Sequence, residues 1–360
     1  REVLSKLDVD LVEEDSSGYS LSERFLLPLR HKELFESHSI FHCPHYCLPY
    51  FGITKVGGTK LSIPVVTTVH DIIHFSHPDT LAHRVIGGYL LRSCFRQSKQ
   101  IITVSSYSEK SMRKYFSGSL PPLNIIPNAL RSFGDETAPQ SSNRDSILFV
   151  GSGRPHKGFD LLTDALTNFT SYGTVSSSDL SEQCVPNLRV VGERFSASQR
   201  QRAKNIAGGE ATFCGACNAQ SLYEEYKRAR IVVVSSSVEG FGLVALEAMS
   251  LGAIVVASDI EATREVCGSI PLYFTSGNSY SLIQALRNAL TLSGQELKDR
   301  INQGIVHASR YRISDVAQMT HRVYLRAISE GVVAAPLAAV PTAKGEVVLG
   351  QSSFKGRFKD

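Results

Sequence analysis

Tryptophan is absent from this chain of 360 residues, and methionine occurs three times. Large apolar packing therefore falls to Leu, Ile, Val, Phe and Tyr. No apolar run approaches the roughly 18 residues that a helical bilayer span requires. The amino end, Arg1-Glu2-Val3-Leu4-Ser5-Lys6, carries no apolar signal-peptide stretch. Charge of neither sign dominates: the net value is +4 and the pI about 8.6. That is too little to argue for a nucleic-acid partner, and none is expected. It is compatible with an anionic small ligand and with peripheral contact at an acidic membrane surface. A disulfide framework is not expected either. The seven cysteines are odd in number and scattered through a large chain. Cys214-Gly215-Ala216-Cys217 is a lone CxxC, and Cys43-Pro44-His45-Tyr46-Cys47 is a poor second pair for zinc, so no metal site is expected. Reduced thiols point to a cytoplasmic protein.

What is present is alternation. Apolar, β-branched runs over 39–42, 64–69, 100–104 and 123–126 predict strands, and helical spacing separates them. In the helix expected over 82–97, Val85, Ile86, Tyr89, Leu90 and Cys94 set that spacing. Another helix opens at Ser105-Ser106, where Ser106 and Glu109 fit a capping box. Residues 131–146 lose all periodicity and read as a linker. The pattern then restarts with strands over 146–150, 187–192, 211–213, 231–234, 253–257 and 271–274. Helices are expected from 159, over 222–229, 243–249, 280–292 and 314–330. Strands alternating with helices predict parallel sheets. The fold class is thus α/β with two doubly wound, Rossmann-like halves facing across a cleft. Residues 1–130 form the first, 147–312 the second, and 313–330 a final helix placed to pack back on the first. Residues 331–360 read as a disordered tail.

One stretch concentrates the chemistry. After the strand at 231–234 come Glu239, Gly240, Phe241, Gly242 and Leu243. From Leu243 to Met249 the only polar side chain is Glu247. A helix apolar on every face is a buried helix, so its carboxylate must be paired or hydrogen-bonded. A glycine-bearing turn before such a helix aims backbone N–H groups and the positive end of the helix dipole at an anion such as a phosphate. Gly151-Ser152-Gly153-Arg154-Pro155-His156-Lys157-Gly158 occupies a second strand-to-helix turn. It is neither a Walker loop nor a dinucleotide fingerprint. Lys157 there suits a diphosphate, and equally a solvated lysine at a helix start. His70 and Asp71 end a strand in the first half, where a ligand-binding histidine and a hydrogen-bonded core histidine are level readings.

Taken together, these elements resemble a family 4 glycosyltransferase of the GT-B fold, on its mannosyltransferase-like branch. The resemblance rests on Lys157-Gly158, the acid pair Glu239 and Glu247, Ile126-Pro127-Asn128, Ala257-Ser258-Asp259-Ile260, Phe41-His42-Cys43-Pro44-His45-Tyr46 and Thr68-Val69-His70-Asp71. It implies a retaining transfer of mannose or a related hexose from a GDP- or UDP-sugar to a glycan or glycolipid hydroxyl, with no cofactor and no metal. By the same resemblance, Glu239 and the backbone of Gly240, Phe241, Gly242 and Leu243 hold the donor sugar. Glu247 takes the ribose hydroxyls, Lys157 the leaving diphosphate, and His70 the sugar near its reacting carbon. Gly151 and Ser152 stand at the phosphate loop. Many members carry an arginine where this chain has Ser152, and Arg154 is the candidate substitute. Nothing before Tyr19 reads as the family's leading strand and glycine-rich loop, so an incomplete acceptor side and an exposed sheet edge are expected. A GT-B sugar epimerase and a weakly catalytic nucleotide-sugar-binding scaffold are the competing functions.

Overall fold

The computed structural model describes residues 12, 21–49, 63–78, 80–118, 120–131, 144–169, 187–206 and 211–332. Most of the expected linker, the tail after residue 332 and the stretch before Tyr19 other than Val12 lie outside the described residues.

In the first half, three short helices α1 (Leu21–Phe25), α2 (Leu27–Arg30) and α3 (Lys32–Ser37) lead into β1 (Phe41–Cys43). Then come β2 (Val65–Thr68), α4 (Ile73–Ser76), α5 (Leu81–Gln97), β3 (Gln100–Thr103), α6 (Ser106–Tyr115) and β4 (Leu123–Ile125). The four strands pair in parallel in the order β1-β2-β3-β4. β2 and β3 are buried along their whole length, which is why they read as unbroken β-branched runs rather than alternating ones.

The second half holds β5 (Ser146–Val150), α7 (Phe159–Thr167), β6 (Asn187–Val191), α8 (Ala197–Ala203), β7 (Ala211–Gly215), α9 (Ala219–Arg228) and β8 (Ala229–Val234). It continues through α10 (Leu243–Ser250), β9 (Ile254–Ser258), α11 (Glu261–Cys267), β10 (Leu272–Phe274), α12 (Ser279–Thr291) and α13 (Gly294–Ala308). Its six strands are parallel, in the order β10-β9-β8-β5-β6-β7. Counted from β5 this is 3-2-1-4-5-6 read from the other edge, the doubly wound dinucleotide-fold order. The strand period of two divides the core between the faces. Ile147, Phe149, Leu188, Val190, Ile231 and Val233 pack with α7 and α12. Leu148, Val191, Val232 and Val234 pack with α9 and α10. Each such fully buried side chain contributes roughly 1.5–3 kcal/mol relative to exposure.

Helix α14 (Ile313–Val332) leaves the second half and returns to the first. Val316, Met319, Val323, Tyr324 and Ala327 recur at helical spacing and pack on Val66, Ile102 and Ile126.

Two local expectations are corrected. Ser105, not Ser106, caps α6, its hydroxyl accepting from the Ser108 N–H at 3.0 Å. In α5 the apolar spacing misleads. Val85, Ile86 and Tyr89 face solvent, while Gly87, Gly88, Leu91, Cys94 and Phe95 are buried. The domain meets α5 through a pair of glycines, which let the Phe75 and His74 rings close in. Large-residue periodicity cannot register that kind of contact.

Candidate active site

In a doubly wound sheet, ligands bind beyond the carboxyl ends of the strands where the winding reverses. Here that point lies between β5 and β8, adjacent strands whose neighbours continue in opposite directions. Their exits carry the two motifs singled out above.

The β5 exit runs through Gly151, Ser152, Gly153 and Arg154 into a 3-10 turn, Pro155–Lys157. It is held tightly. The Gly151 N–H donates to Val191 O at 2.9 Å and the Gly153 N–H to Glu193 O at 3.2 Å. Gln199 donates its amide to Gly153 O at 3.0 Å. Gly158 closes the turn in the left-handed region, at φ 70°. A Cβ there would stand 2.1 Å from Ser235 O, so only glycine lets the two exits approach. Ser235 donates to Gly158 O at 2.9 Å, and the Ser237 N–H to His156 O at 2.8 Å.

This lacing brings Lys157 to Glu239. The ammonium lies 2.8 Å from Glu239 Oε1, and Ser236 donates its hydroxyl to the same oxygen at 2.6 Å. Both charged side chains are partly buried, so the attraction exceeds that of a surface pair. Gly240 follows, with the opposite domain against it. Its carbonyl accepts from the hydroxyls of Ser105 at 2.6 Å and Ser108 at 3.2 Å. A Cβ at Gly240 would meet the Asp71 side chain at 2.8 Å. Gly242, at φ 111°, opens α10. The Phe241 ring is buried in the core edge-on to Tyr311, and the backbone of Gly240 and Gly242 on either side of it is buried as well.

Glu247 is 5% exposed. Its Oε2 accepts from the Tyr226 hydroxyl at 2.9 Å. The family resemblance assigns this acid to ribose hydroxyls, but in the structure a protein side chain holds one of its oxygens, because α9 packs Tyr226 beneath α10. Burial raises the Glu247 pKa, against the Tyr226 hydrogen bond and the Arg131 charge.

Across the cleft, Asp71 accepts from the Ile73 N–H at 2.9 Å and so starts α4. A cavity of about 280 Å³ is lined by Asp71, Ile73, His74, His77 and His83 from the first domain and by Arg154, His156, Lys157 and Glu239 from the second. His70 is not among its lining residues. Its ring is solvent-accessible yet crowded by protein, and lost hydration lowers its pKa, against the Asp71 charge and a hydrogen bond to Pro44. His74, stacked on Tyr46 at 4.6 Å, is lowered by burial as well. The structure thus gathers Lys157, Glu239 and Arg154 on one wall and leaves His70 beside it. Glu247 and Phe241 lie behind it in protein. The histidines at 74, 77, 83 and 156 were not anticipated. No spacing in the sequence relates them: His74 lies in α4, His83 in α5, His77 just past α4 and His156 in the turn after β5. Among the described residues no group of three or more His, Cys, Asp or Glu is arranged to hold a metal ion. Six cysteines in those residues are free thiols.

Two parallel-sheet domains that bring charged loops together across a cleft define the GT-B architecture. Comparison with known proteins agrees. Residues 135–305 match the family described as Glycosyl transferases group 1, and residues 12–131 match Glycosyltransferase Family 4. The chain is 25% identical to the O-antigen chain mannosyltransferase RfbU of Salmonella typhimurium, over 78% of this chain and 77% of that one. It is 29% identical to the phosphatidyl-myo-inositol mannosyltransferase of Mycobacterium leprae, over 57% of this chain and 54% of that one. Sucrose-phosphate synthase from Thermosynechococcus elongatus superimposes with a TM-score of 0.63 at 17% identity, covering 83% of this chain and 76% of that one. The chain belongs to the group 1, family 4 glycosyltransferases and is a glycosyl-transferring enzyme.

Proposed function

We propose that the protein moves a hexose, mannose by its relatives' example, from a GDP- or UDP-sugar to a hydroxyl of a glycan or glycolipid, with retention of configuration and without a metal. The observation that carries this reading is the Lys157–Glu239 pair at the β5/β8 reversal, facing the cleft. As the donor's glycosidic bond to phosphate breaks, its electron pair passes to the diphosphate. Lys157 and Arg154 offset that developing charge, a role a divalent ion plays elsewhere. Glu239 and the backbone amides before α10 hold the sugar. His70 stands near the reacting carbon, and Glu247, behind the cavity wall, is assigned to the ribose by the family resemblance alone. The acceptor oxygen bonds the anomeric carbon on the departing face, and its proton goes to the leaving phosphate oxygen. No covalent enzyme intermediate is invoked. Arg154 supplies the loop cation, since Ser152 carries none. The donor side of the cleft is cationic, and the mild net positive charge suits peripheral contact with an acidic membrane.

The test is direct. GDP or UDP raises the melting temperature by mass action on the native state. Lys157→Ala and Glu239→Ala each lower turnover by about tenfold or more at unchanged fold. Chelation with EDTA leaves turnover in place. A panel of nucleoside diphosphates that shifts no melting curve sinks the donor assignment.

A further inference from the structure

One ring in the cavity has no role in the transfer described above. His74, on α4, lines the space together with Asp71, Lys157 and Glu239, and its surroundings fix what it offers there. Tyr46 stacks on its face, with 4.6 Å between centroids and 7° between planes. One edge meets α5 at Gly87, where a Cβ would stand 3.0 Å from Cδ2 and 3.2 Å from Nε2. In place of that Cβ, glycine holds a C–H bond against the ring. Nε2 is thus buried against a group that cannot accept a hydrogen bond, and it has no hydrogen-bond partner.

An N–H and a lone pair are not equivalent in such a place. Orphaned buried N–H groups are rarer than under-satisfied acceptors, and a lone pair facing a C–H bond keeps a weak contact. A neutral imidazole carries its proton on one nitrogen only. The dry edge therefore keeps the lone pair, and the proton goes to Nδ1. Nδ1 is not buried, and no protein group among the described residues bonds it. A second proton would put an unpaired N–H at Nε2. Burial opposes that proton and so does the His83 charge, against the pull of the Asp71 charge.

Asp71 supplies the complement. Its Oδ1 is taken by the Ile73 N–H at 2.9 Å. Its Oδ2 makes no hydrogen bond among the described residues and lies beside Gly240, where a Cβ would meet it at 2.9 Å. The first-domain wall thus offers one neutral donor and one free acceptor, opposite Lys157 and Glu239. Two hydroxyls of a sugar match that pairing, because each can accept or donate. A phosphate does not, since its oxygens only accept and its charge is repelled by Asp71.

We propose that His74 and Asp71 read two hydroxyls of the donor's hexose, His74 donating from Nδ1–H to one and Asp71 accepting from the other through Oδ2. The pair selects a sugar by the placement of its hydroxyls and does not touch the nucleotide. It rests on the transferase reading above.

The experiment uses the full chain and has two arms. In the first, long-range proton–nitrogen correlation spectra of protein with isotope-labelled histidine show which ring nitrogen is protonated. The His74 signals are those lost in His74→Asn. The expected result is a proton on Nδ1 at neutral pH, and a proton on Nε2 overturns the assignment. In the second arm, calorimetry compares GDP-mannose with GDP and UDP-glucose with UDP. Glutamine places its amide where Nε2 stands, and asparagine places its amide where Nδ1 stands. His74→Gln should weaken the sugar nucleotide by about fivefold or more, while His74→Asn stays within about twofold of wild type. Asp71→Asn keeps the oxygen that bonds Ile73 and turns the other into a donor, so it too should weaken the sugar nucleotide by about fivefold. The nucleoside diphosphate binds all three variants as it binds the wild type, which separates a lost contact from a lost fold. Equal losses in His74→Gln and His74→Asn reduce His74 to packing and overturn the proposal. So does unchanged sugar-nucleotide affinity in His74→Gln and Asp71→Asn beside normal diphosphate binding, an outcome that leaves the donor reading standing. A wild type that binds none of the four nucleotides overturns both.

Discussion

At the scale of single residues, Glu247 carries a conflict that a mutation resolves. Its side chain is buried, with one hydroxyl hydrogen bond from Tyr226, and burial raises its pKa. A carboxyl group whose folded pKa is raised binds more protons folded than unfolded. Stability therefore falls as pH climbs from the ordinary carboxylate range through the raised value. Glu247→Gln keeps an acceptor for Tyr226 and removes the buried charge. It should melt no lower than the wild type at neutral pH, and lose the pH slope above the carboxylate range. Tyr226→Phe leaves the carboxylate without its donor and should cost about 1–3 kcal/mol in denaturant unfolding. If Glu247→Gln also binds the nucleotide as tightly as wild type, its ribose role is refuted while its structural account stands. The sequence disclosed that this acid is buried, because every neighbour in its helix is apolar. It did not disclose Tyr226, which arrives from another helix 21 residues earlier. Lys157 and Glu239 were legible for a related reason: each follows a strand whose composition announces it. The histidines of the far wall were not, since a cleft face is a tertiary fact.

At the scale of elements, strands were read well and helices unevenly. Buried parallel strands are unbroken β-branched runs, visible in any window. The helices α8, α11 and α13 escaped notice because they bury little that is large. α13 meets α10 through Gly304, whose Cβ position lies 3.4 Å from Met249, and through Ala308. Helix α14 shows what fastens an element that crosses between domains. Besides its apolar stripe, the Tyr324 hydroxyl lies 2.5 Å from His42 Nδ1, and His42 Nε2 lies 2.8 Å from the Thr68 hydroxyl. Burial, helped by the charge of His70, lowers the His42 pKa to about 4. The sign follows. In the window from about 6.5 down to about 4 the unfolded chain binds the proton and the folded one does not. Stability present at neutral pH is lost as pH falls through that window, by on the order of 2–3 kcal/mol. His42→Gln should flatten that part of the stability–pH curve, read by urea unfolding at stepped pH. A slope identical to the wild type's between those limits contradicts the account.

At the scale of the whole molecule, the two domains meet through more than the site. The first two N–H groups of α6, at Ser106 and Tyr107, have no partner within their own helix. The Glu265 carboxylate, from α11 of the opposite domain, accepts from both, at 2.6 and 3.0 Å. Lys110 pairs with Glu261 one turn further on. With the Ser105 and Ser108 hydroxyls on Gly240 O, these contacts form a clasp that ends on the backbone next to Glu239. The contacts that hold the two domains together thus also hold the backbone beside Glu239. A carboxylate at a helix N-terminus contributes roughly 0.3–1 kcal/mol at an exposed site and weakens with salt. That is enough to shift a closure equilibrium severalfold and too little to threaten the fold. Glu265→Ala should therefore leave the melting temperature within about 2 °C and increase the radius of gyration measured by small-angle scattering. Added GDP or UDP should recover part of the compaction, and turnover should fall more at low donor than at saturation, because donor binding then bears the cost of closing. Raising the salt should move the wild type toward the variant and move the variant less, since only the exposed Lys110–Glu261 pair remains to be screened there. A variant as compact as the wild type at every salt concentration shows that Gly240 and its two serine donors hold the cleft closed without Glu265.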